Sequence, residues 1–369
     1  MKVIIAAGGT GGHLYPGIAI AREIRKIDKR TEIVFIVTGK TKERKIIVKE
    51  GFKCYSLPVK GFLGKRISER MIFPLFLTVS IILFLFILLL KKPGVIVGTG
   101  GYASFVPLLF GILFGIPTLI SEQDSYPGFS TRMLSRYVTE VHVAHKKAKL
   151  ILLAKKLYVT GNPLRDTIFE GTREEAIEYF KLDRGKKTVL IFGGSHGARS
   201  INEVFLEVLK NNTFLHIQFI FQTGTDDFKW VKKALGDTKA NVMVFPFIER
   251  MNLAYAAADI LFSRAGALSI AEMTARGVPS VLVPYPYATG GHQEENAGYL
   301  ERIGASVMLL DKELSSVKVT NLMLSLLSDK KRLRNMSEAA LSFCKRDAAH
   351  MIAKRVLSLA NRRRECSVM

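Results

Sequence analysis

Runs of β-branched and other apolar residues alternate along this chain with amphipathic stretches, and a glycine-rich turn follows many of the runs. In the first half the apolar runs are KVIIAA, EIVFIV, GVIVG and IPTLIS. The pattern starts again after Gly161-Asn162-Pro163 with KTVLIF, LHIQFIF, NVMVF, DILFS and PSVLVP. Continuous apolar runs are typical of strands buried on both faces, and their alternation with helices indicates parallel sheets. The sequence therefore predicts an α/β protein with two doubly wound parallel-sheet domains, joined near residues 160–165.

The segment Met71–Leu90 breaks this pattern, because it is uncharged and mostly apolar. A helix of that length measures roughly 30 Å, enough to cross a bilayer. However, Lys2–Ala7 and Gly94–Gly98 are predicted strands of one sheet, and a span would place them on opposite sides of a membrane. We therefore favour an interfacial helix of the first domain, with an ordinary buried helix and a true span as alternatives. The expected outward stripe contains Phe76, Leu83 and Leu90. The flanking basic residues are Lys65, Arg66, Arg70, Lys91 and Lys92.

Length and composition exclude several classes of protein. The chain has 369 residues, of which 48% are hydrophobic and 23% are charged. This supports about two domains with cores of their own and excludes a disordered chain, a collagen and a disulfide scaffold. The cysteines Cys54, Cys344 and Cys366 have no metal-ligand spacing and are expected to be free thiols in a reducing compartment. No cleavable signal is expected at the start of the chain, which predicts a cytoplasmic protein.

Positive charge is concentrated in the first half of the chain. Residues 1–165 hold 26 basic and 9 acidic side chains, a net charge of +17, whereas residues 166–369 hold 28 and 23, a net charge of +5. The surplus predicts an anionic partner for the first half: nucleic acid, an acidic lipid surface or a polyanionic substrate. Nucleic acid is the weakest of these, since no interleaved aromatic pattern or recognised motif accompanies the charge. A soluble basic protein without such a partner is the alternative.

Two glycine-rich turns follow predicted strands and open predicted helices. The first is Gly8–His13 (GGTGGH) and the second is Gly193–Arg199 (GGSHGAR), where Ser195 adds a hydroxyl. Backbone amides at such turns bind phosphate, so the pair predicts a nucleotide in a cleft between the domains. A dinucleotide cofactor is disfavoured, because Leu14 stands where that motif needs glycine and no acidic residue ends the run EIVFIV. Neither turn ends in the Gly-Lys-Ser/Thr of a Walker motif.

Three polar side chains later in the chain suit a nucleotide sugar. Glu272 lies about two turns into the helix that RAGALS opens, where a carboxylate accepts hydrogen bonds from both ribose hydroxyls. Gln293 and Asn296 are three residues apart on one helical face, and amides both donate to and accept from sugar hydroxyls. The alternatives are a surface role for Glu272 with an ionic partner, and helix capping or solvation for the two amides.

The chain contains in order the motifs GGTGGHLYPGIAIA, GTGGY, EQDSYPG, GNPLR, GGSHGAR, RAGALSIAEM and HQEENA. Over about residues 3–300 this ensemble resembles the MurG family, the UDP-N-acetylglucosamine transferases that convert lipid I to lipid II in peptidoglycan synthesis. The resemblance implies the GT-B fold, two Rossmann-like doubly wound parallel-sheet domains facing across a cleft. It implies an acceptor and membrane-associating domain at 1–163 and a donor domain at 164–346. A C-terminal helix at 347–369 is expected to pack back toward the N-terminal domain.

The resemblance also assigns roles to particular residues. The implied donor-binding residues are Thr10, Gly11, Gly12, Arg165, Gly194, Ser195, Ile248, Ala267, Leu268, Glu272, His292, Gln293 and Asn296. The implied acceptor-binding residues are Gly100, Gly101, Tyr102, Glu122, Gln123 and Asp124. The expected contacts are the diphosphate for Gly193, Gly194 and Ser195, the uracil for Arg165 and Ile248, the ribose for Glu272, and the sugar for His292, Gln293 and Asn296. The chain departs from the usual family pattern at Asp124 and Thr131, where asparagine is usual, and at His196, where glutamine is common.

His13, in the first glycine turn, is the candidate catalytic base. An alcohol that displaces UDP from an anomeric carbon must lose its proton during the attack, and the departing diphosphate must be stabilised. Single displacement predicts inversion, from an α-linked donor to a β-linked product. Helix dipoles and loop amides can stabilise the leaving group, so neither a metal nor a cofactor is expected, and UDP-N-acetylglucosamine is a substrate. The alternative for His13 is that it only orients a phosphate or the acceptor.

The implied partners are UDP-N-acetylglucosamine, lipid I, an anionic membrane surface and other proteins of cell-wall synthesis, with no nucleic acid. The expected location is peripheral, on the cytoplasmic face of the bacterial inner membrane. Two further functions stay open. One is a related GT-B glycosyltransferase acting on another membrane lipid such as diacylglycerol, and the other is a non-catalytic membrane module that binds a nucleotide sugar.

Overall fold

The computed structural model describes residues 1–59, 67–194, 197–211, 214–236 and 238–366, with the backbone alone for 67–73 and 364–366. The chain forms two compact units. Unit 1 comprises Met1–Arg165 and Lys345–Met369, and unit 2 comprises Asp166–Cys344. The polypeptide therefore leaves unit 1 after residue 165, completes unit 2, and then returns to unit 1.

Unit 1 is built on a parallel sheet. Its strands are β1 (Lys2–Ala6), β2 (Glu32–Val37), β3 (Lys53–Ser56), β4 (Val95–Gly98), β5 (Thr118–Glu122), β6 (Glu140–Val143) and β7 (Leu157–Val159). Within the described residues they pair in the order β3-β2-β1-β4-β5-β6-β7, all parallel. Successive side chains of a strand point to opposite faces. On β1, Val3 and Ile5 therefore join one core while Ile4 and Ala6 join another, which is why the run is continuously apolar.

Helices cover both faces of this sheet. Those that precede unit 2 in the chain are α1 (Gly11–Ile27), α2 (Thr41–Lys49), α3 (Ile67–Lys91), α4 (Phe105–Leu113), α5 (Phe129–Leu134) and α6 (Ala148–Ile151). Leu14 of α1 packs in the core that contains Val3. Phe84 of α3 and Leu108 of α4 pack in the core that contains Ile4. The prediction of a doubly wound first domain is confirmed.

Helix α3 contains the apolar segment and connects β3 to β4. Its window Pro74–Lys91 has a mean hydropathy of 2.5 and is long and apolar enough, by length and composition, to cross a membrane. Strands β3 and β4 belong to one sheet, because β2 pairs with β3 and β1 pairs with both β2 and β4. The chain thus enters and leaves α3 on the same sheet, as the sequence analysis anticipated.

One face of α3 is apolar and exposed. The exposed apolar side chains are Leu75, Val79, Ile82, Leu83, Phe86, Leu89 and Leu90, each between 38% and 67% exposed. Phe76 is only partly exposed, so the predicted outward stripe is wrong at that residue. Positions seven apart in a straight helix drift by about 20° per step, which places Phe76 at the edge of the exposed face. We call the seven exposed apolar residues of this helix, from Leu75 to Leu90 and without Phe76, the α3 stripe.

Unit 2 repeats the plan of unit 1. Its strands are β8 (Lys187–Phe192), β9 (Ile217–Gln222), β10 (Asn241–Phe245), β11 (Ile260–Ser263), β12 (Ser280–Leu282) and β13 (Ser306–Met308). Its helices are α7 (Arg173–Phe180), α8 (Arg199–Asn211), α9 (Phe228–Leu235), α10 (Met251–Ala257), α11 (Ala267–Ala275), α12 (His292–Arg302), α13 (Ser316–Ser328) and α14 (Lys330–Phe343). The described strands form a parallel sheet in the order β10-β9-β8-β11-β12-β13. Val189 and Leu190, adjacent on β8, lie in different cores, so this sheet is also covered on both faces.

The helix that follows unit 2, α15 (Ala348–Cys366), belongs to unit 1. Its residues Ile352 and Val356 are fully buried in the core that contains Val3. His350 also lies 3.0 Å from a carboxylate oxygen of Glu23 on α1. One apolar face of the first sheet is therefore completed by a segment that comes more than 180 residues later in the chain than β7.

A buried ion pair fastens α15 to the sheet. Arg355 donates two hydrogen bonds to Glu140, the first residue of β6, whose side chain is 0% exposed. Burial raises the pKa of the Glu140 carboxyl, but the hydrogen bond and charge of Arg355, with smaller contributions from His142, outweigh burial and leave that pKa below its usual value. Burial lowers the pKa of the neighbouring His142, which favours its neutral form. Arg355 is therefore the main cationic partner of this carboxylate.

Candidate active site

In each sheet the strand order reverses beside the first strand of the unit, between β1 and β4 in unit 1 and between β8 and β11 in unit 2. Ligands of open α/β sheets bind beyond the carboxyl ends of the strands at such a switch point. In unit 1 this edge carries Gly8–His13 after β1, Gly100–Tyr102 after β4, and Glu122–Asp124 at the end of β5. In unit 2 it carries the turn after β8 and the start of α11. The predicted residues in these segments thus lie at or beyond the carboxyl ends of neighbouring strands.

His13 lies in the first turn of α1 with one ring nitrogen engaged. Its Nδ1 is 3.0 Å from the carbonyl oxygen of Thr99 and 3.3 Å from Oε1 of Gln123. The orientation of the Gln123 amide is fixed because its Nε2 donates to the carbonyl of Ser121 at 2.9 Å. Both neighbours of Nδ1 are acceptors, so Nδ1 carries the hydrogen. In the neutral ring Nε2 then keeps its lone pair, which is the form a general base requires.

The turn after β4 packs directly on this imidazole. A Cβ atom on Gly100 would lie 2.7 Å from His13 Nδ1, and one on Gly101 would lie 2.6 Å from the carbonyl oxygen of Gly8. Both glycines also have positive φ, +97° and +72°. Larger residues at these positions would displace either the ring or the first glycine turn. Tyr102 follows in a short 3₁₀ turn and is partly exposed.

A buried carboxylate that the sequence analysis did not single out holds the first glycine turn. Glu43 on α2 accepts a hydrogen bond from Gly9 N at 2.7 Å, and two more from the N and Oγ1 of Thr38 at 3.0 and 2.8 Å. Lys40 Nζ donates to the Gly9 carbonyl at 2.7 Å. Glu43 is 5% exposed. In the sequence its helix, TKERKIIVK, is typical of a solvated surface helix, so no local signal marks this residue.

Thr10, Gly11 and Gly12 form the start of α1. Thr10 is the N-cap in extended conformation, and the two glycines occupy the first helical positions. Backbone N–H groups in the first turn of a helix have no partner within the helix and lie at its positive end. These amides are therefore suited to an anionic group.

Glu122 and Gln123 have their side chains inside unit 1. Glu122 accepts hydrogen bonds from the backbone N–H groups of Asp124 and Gly128, both at 3.2 Å, and from Thr131. Burial, reinforced by the charge of Asp124, raises the pKa of the Glu122 carboxyl. Glu122 and Gln123 are only 2% and 1% exposed, whereas Asp124 is partly exposed. The geometry thus makes Glu122 a loop-forming residue and brings Gln123 to His13.

Arg165, the last residue of unit 1 before unit 2 begins, lies against α1. Its guanidinium carbon is 4.1 Å from the centre of the Tyr15 ring. Tyr15 is two residues after His13 on α1, so the guanidinium of Arg165 lies against the same end of this helix. The predicted contact between Arg165 and uracil stays a prediction.

The glycine turn of unit 2 is tightly packed where it is described. A Cβ atom on Gly197 would lie 2.0 Å from the carbonyl oxygen of Thr223, so glycine alone fits there. Gly194 has a φ of +93°. Ser195 and His196 lie outside the described residues, and the diphosphate contact of Ser195 stays a prediction.

Glu272 is buried, not solvated. It is 8% exposed, and one carboxylate oxygen accepts a hydrogen bond from the Tyr255 hydroxyl at 3.2 Å. Its side chain is therefore not at a solvated surface position, while the ribose contact stays a prediction. Ala267 and Leu268 begin the same helix, α11, so their backbone N–H groups lie at its positive end.

The predicted sugar-binding side chains lie at the start of α12 and brace the turns around them. Gln293 Oε1 accepts a hydrogen bond from the backbone N–H of Tyr285 at 3.0 Å, and Asn296 Nδ2 donates to the carbonyl of Ala265 at 3.3 Å. Asn296 is 2% exposed and its Oδ1 is buried without a hydrogen-bond partner. His292 is partly exposed and its Nδ1 contacts a backbone carbonyl of the preceding turn. Asn296 therefore connects the turn after β11 with the start of α12.

A buried arginine, also not predicted, supports the turn after β11. Arg264 is 9% exposed and its guanidinium donates to the Pro284 carbonyl, to Asp311 and to the Ser200 hydroxyl. The sequence around it, SRAGALS, indicated only a glycine turn. Its partners come from segments distant in the chain, which is why local pattern gave no signal.

Comparisons with known proteins agree with this architecture. The profile for the glycosyltransferase family 28 N-terminal domain matches residues 3–143, and that for the C-terminal domain matches residues 188–355. Two curated relatives are named UDP-N-acetylglucosamine–N-acetylmuramyl-(pentapeptide) pyrophosphoryl-undecaprenol N-acetylglucosamine transferase. The protein of Halothermothrix orenii is 39% identical over 92% of this chain and 94% of its own. That of Chlorobaculum tepidum is 40% identical over 98% of this chain and 100% of its own. The crystal structure of Acinetobacter baumannii MurG is 25% identical in sequence and superposes with a TM-score of 0.75. The match covers 97% of this chain and 99% of that one.

Two parallel-sheet α/β units with these domain matches define a glycosyltransferase of the GT-B fold. More narrowly, the chain belongs to glycosyltransferase family 28 and, within it, to the MurG family.

Proposed function

We propose that the protein transfers N-acetylglucosamine from UDP-N-acetylglucosamine to the 4-hydroxyl of the N-acetylmuramyl sugar of lipid I, giving lipid II. The observation that carries the proposal is the position of His13 at the switch point of unit 1, with two acceptors, the Thr99 carbonyl and Gln123 Oε1, within 3.3 Å of its Nδ1. The names of relatives that match this chain over nearly its whole length support the choice of substrates.

The reaction is a single displacement at the anomeric carbon of the donor sugar. The acceptor oxygen forms a bond to that carbon while the bond from carbon to the diphosphate oxygen breaks, and the electron pair leaves with UDP. The acceptor proton passes to Nε2 of His13, which becomes an imidazolium. Attack opposite the leaving group inverts the configuration. Thr99 and Gln123 keep Nδ1 protonated throughout, so the ring accepts the proton on the other nitrogen.

Unit 2 is proposed to bind the donor. The N-terminus of α11 and the turn after β8 offer backbone N–H groups for the diphosphate, on which negative charge grows as the bond breaks. Glu272, held by Tyr255, would accept hydrogen bonds from the ribose hydroxyls. Among the described residues, no group of three or more His, Cys, Asp or Glu side chains is placed to hold a metal ion. We propose that backbone amides stabilise the leaving group, with the Ser195 hydroxyl assigned to the same diphosphate.

Transfer of labelled N-acetylglucosamine from its UDP donor to a lipid I analogue tests this proposal. We expect a β-linked product, and the same rate with and without EDTA. Transfer to diacylglycerol in place of the lipid I analogue, or binding of the donor without any transfer, would overturn the assignment. Loss of activity in EDTA, restored by a divalent cation, would overturn the metal-independent step.

We also propose that unit 1 lies peripherally on an anionic membrane, at the cytoplasmic face. The α3 stripe supports this, and Leu113 and Phe114 at the end of the adjacent α4 are also exposed, at 66% and 54%. Exposed apolar side chains grouped in this way are typical of interaction surfaces. Because both strands flanking α3 belong to one sheet, an interfacial position fits the fold where a span does not. Lys92 is exposed beside the stripe, whereas Lys65 and Arg66 lie outside the described residues.

Replacing Ile82, Phe86 and Leu89 together by serine is expected to release the protein from vesicles that contain anionic lipid. Full burial of each such side chain is worth about 1.5–3 kcal/mol, so even partial burial of three predicts more than about a tenfold loss of affinity. Sedimentation with vesicles measures it. The matched control replaces Val317 and Leu324, which are exposed on α13 of unit 2, and should bind as before.

Salt should weaken binding of the unaltered protein, since each cation near the surface adds about 1 kcal/mol. UDP binding should survive the triple replacement. Membrane retention that resists high salt and alkaline carbonate, and yields only to detergent, would contradict the peripheral position.

A further inference from the structure

Gln222 ends β9 and connects two neighbouring loops of unit 2. It is 2% exposed and pairs in register with Phe192 of β8 on one side and Phe245 of β10 on the other. Its Nε2 donates to the carbonyl oxygen of Gly194 at 2.9 Å, and its Oε1 accepts from the N–H of Ile248 at 2.7 Å. A carbonyl only accepts and an N–H only donates, so the orientation of the amide is unambiguous.

The two partners of Gln222 belong to segments that serve different parts of one ligand. Gly194 lies in the turn assigned to the diphosphate, and Ile248 lies in the segment assigned to the uracil. We propose that Gln222 is a positioning residue that fixes the spacing between these two subsites, so that one UDP group fills both at once. This inference rests on the proposed function, because the roles of Gly194 and Ile248 come from it.

The backbone at the end of β9, beside Gln222, is itself held by hydrogen bonds to neighbouring elements. The residue after Gln222, Thr223, donates its N–H to the Phe245 carbonyl at 3.0 Å and accepts at its own carbonyl from Asn202 at 2.9 Å. The same carbonyl is in close contact with Gly197 in the turn after β8. Loops after β8 and β10 are not joined by a strand ladder, since β9 lies between those strands. The Gln222 side chain, on the strand between them, hydrogen-bonds to both loops.

The expected consequence follows from how a two-part ligand binds. UDP binds more tightly than its separate halves only when both subsites are held at the distance that the ligand spans. Once one half is bound, the other half then meets its subsite at a high effective concentration. A loosened spacing lowers this gain while each half still binds its own subsite. We measure this gain in affinity as a ratio. Its numerator is the product of the dissociation constants of uridine and pyrophosphate, and its denominator is the dissociation constant of UDP.

The same strand offers a matched control. Gln218 is 1% exposed, and its amide also bridges separate segments, accepting from Asp183 N at 2.9 Å and donating to the Asp183 carbonyl at 2.9 Å and to Thr188 Oγ1 at 3.1 Å. It lies four residues before Gln222, about 13 Å away along the strand and far from its carboxyl end. Its loss should affect folding without affecting the spacing of the subsites.

The experiment measures dissociation constants for UDP, uridine and inorganic pyrophosphate with the full chain and its variants, by calorimetric competition. In Gln222→Leu the gain is expected to fall by at least about tenfold, while the constants for uridine and pyrophosphate stay within about twofold. Gln218→Leu is expected to keep the gain of the unaltered chain. A second variant, Gln222→Glu, keeps an oxygen toward Ile248 but loses the donor to Gly194 and adds a negative charge there. It should weaken UDP more than uridine.

The outcomes separate this inference from the proposed function. If the unaltered chain binds UDP and the gain persists in Gln222→Leu, or in Gln222→Glu should the leucine variant not fold, the inference is overturned alone. An equal fall of the gain in Gln218→Leu also overturns it, because a general loss of folding would then be the cause. If the unaltered chain binds no UDP, the proposed function is overturned and this inference falls with it.

Discussion

The His13→Ala variant is expected to turn over about 10²–10⁴-fold more slowly than the unaltered protein, the usual contribution of a positioned general base. The loss should appear in kcat for transfer to the lipid I analogue. UDP affinity should be largely preserved, because most of the residues assigned to the donor belong to unit 2 while His13 belongs to unit 1. The measurement is the steady-state rate of labelled transfer, with UDP binding followed separately by calorimetry.

An exposed histidine elsewhere provides the control. His216 in unit 2 is solvent-exposed, and His216→Ala should retain full activity. Replacing Gln123 by leucine removes one of the two acceptors at Nδ1 and should give a smaller loss than His13→Ala, since the Thr99 carbonyl remains. A fully active His13→Ala variant would show that the imidazole is dispensable. Loss of UDP binding in proportion to activity would make the residue structural.

The Arg355→Met variant is expected to lower the free energy of unfolding of unit 1 by about 3 kcal/mol, at the lower end of the range for breaking a buried ion pair. Methionine keeps much of the apolar stem but leaves the Glu140 carboxylate buried without its main cationic partner. The double variant Arg355→Met with Glu140→Gln should recover most of the loss. Arg362→Met, at an exposed position of the same helix, should change stability by less than about 0.5 kcal/mol. Urea unfolding followed by circular dichroism measures these values.

The pH dependence of this loss has a definite sign. In the unaltered protein the Glu140 pKa is lowered on folding, so the pair stabilises above the ordinary carboxyl pKa and the contribution is lost as pH falls through the lowered value. Without Arg355 the buried carboxyl favours its protonated form, which mild acid supplies. The difference between variant and unaltered protein should therefore shrink from pH 7 toward pH 5. A difference that stays constant over this range would show that lost packing, not the uncompensated charge, is the cause.

The sequence contained enough information to predict the layered fold, because the relevant pattern is local. Runs such as KVIIAA are continuously apolar since both faces of β1 are covered, and the glycine turns at their ends mark the carboxyl edge of each sheet. The same turns located His13 at the switch point. The resemblance to family motifs then identified the candidate site residues. Neither the motifs nor the hydrophobic pattern predicted the distances and hydrogen bonds between them.

What could not be predicted depends on partners that are distant in sequence. The contact between Gln123 and His13 exists because β5 lies beside β4, which lies beside β1. Glu43 looks like one charge among many in a lysine-rich helix, and only the fold turns it toward Gly9. Phe76 was misplaced for another reason, since the outward direction of a uniformly apolar helix is set by what it packs against. Long-range pairing therefore accounts for most of what the sequence alone did not predict.

The return of α15 to unit 1 has a consequence for the order in which the protein takes shape during synthesis. The strands of unit 1 leave the ribosome first, but the helix that buries Val3 and Ile5 on one face of their sheet is made only after unit 2. At about 5–20 residues per second, unit 2 takes on the order of ten to forty seconds to synthesise. During that interval the sheet face that contains Val3 lacks the part of its cover that α15 supplies, and the stripe on α3 is also exposed. Unit 2, by contrast, is a continuous segment with cores of its own. Unit 2 is thus positioned to mature first, and nascent unit 1 is the part of the chain that waits longest for its complete core.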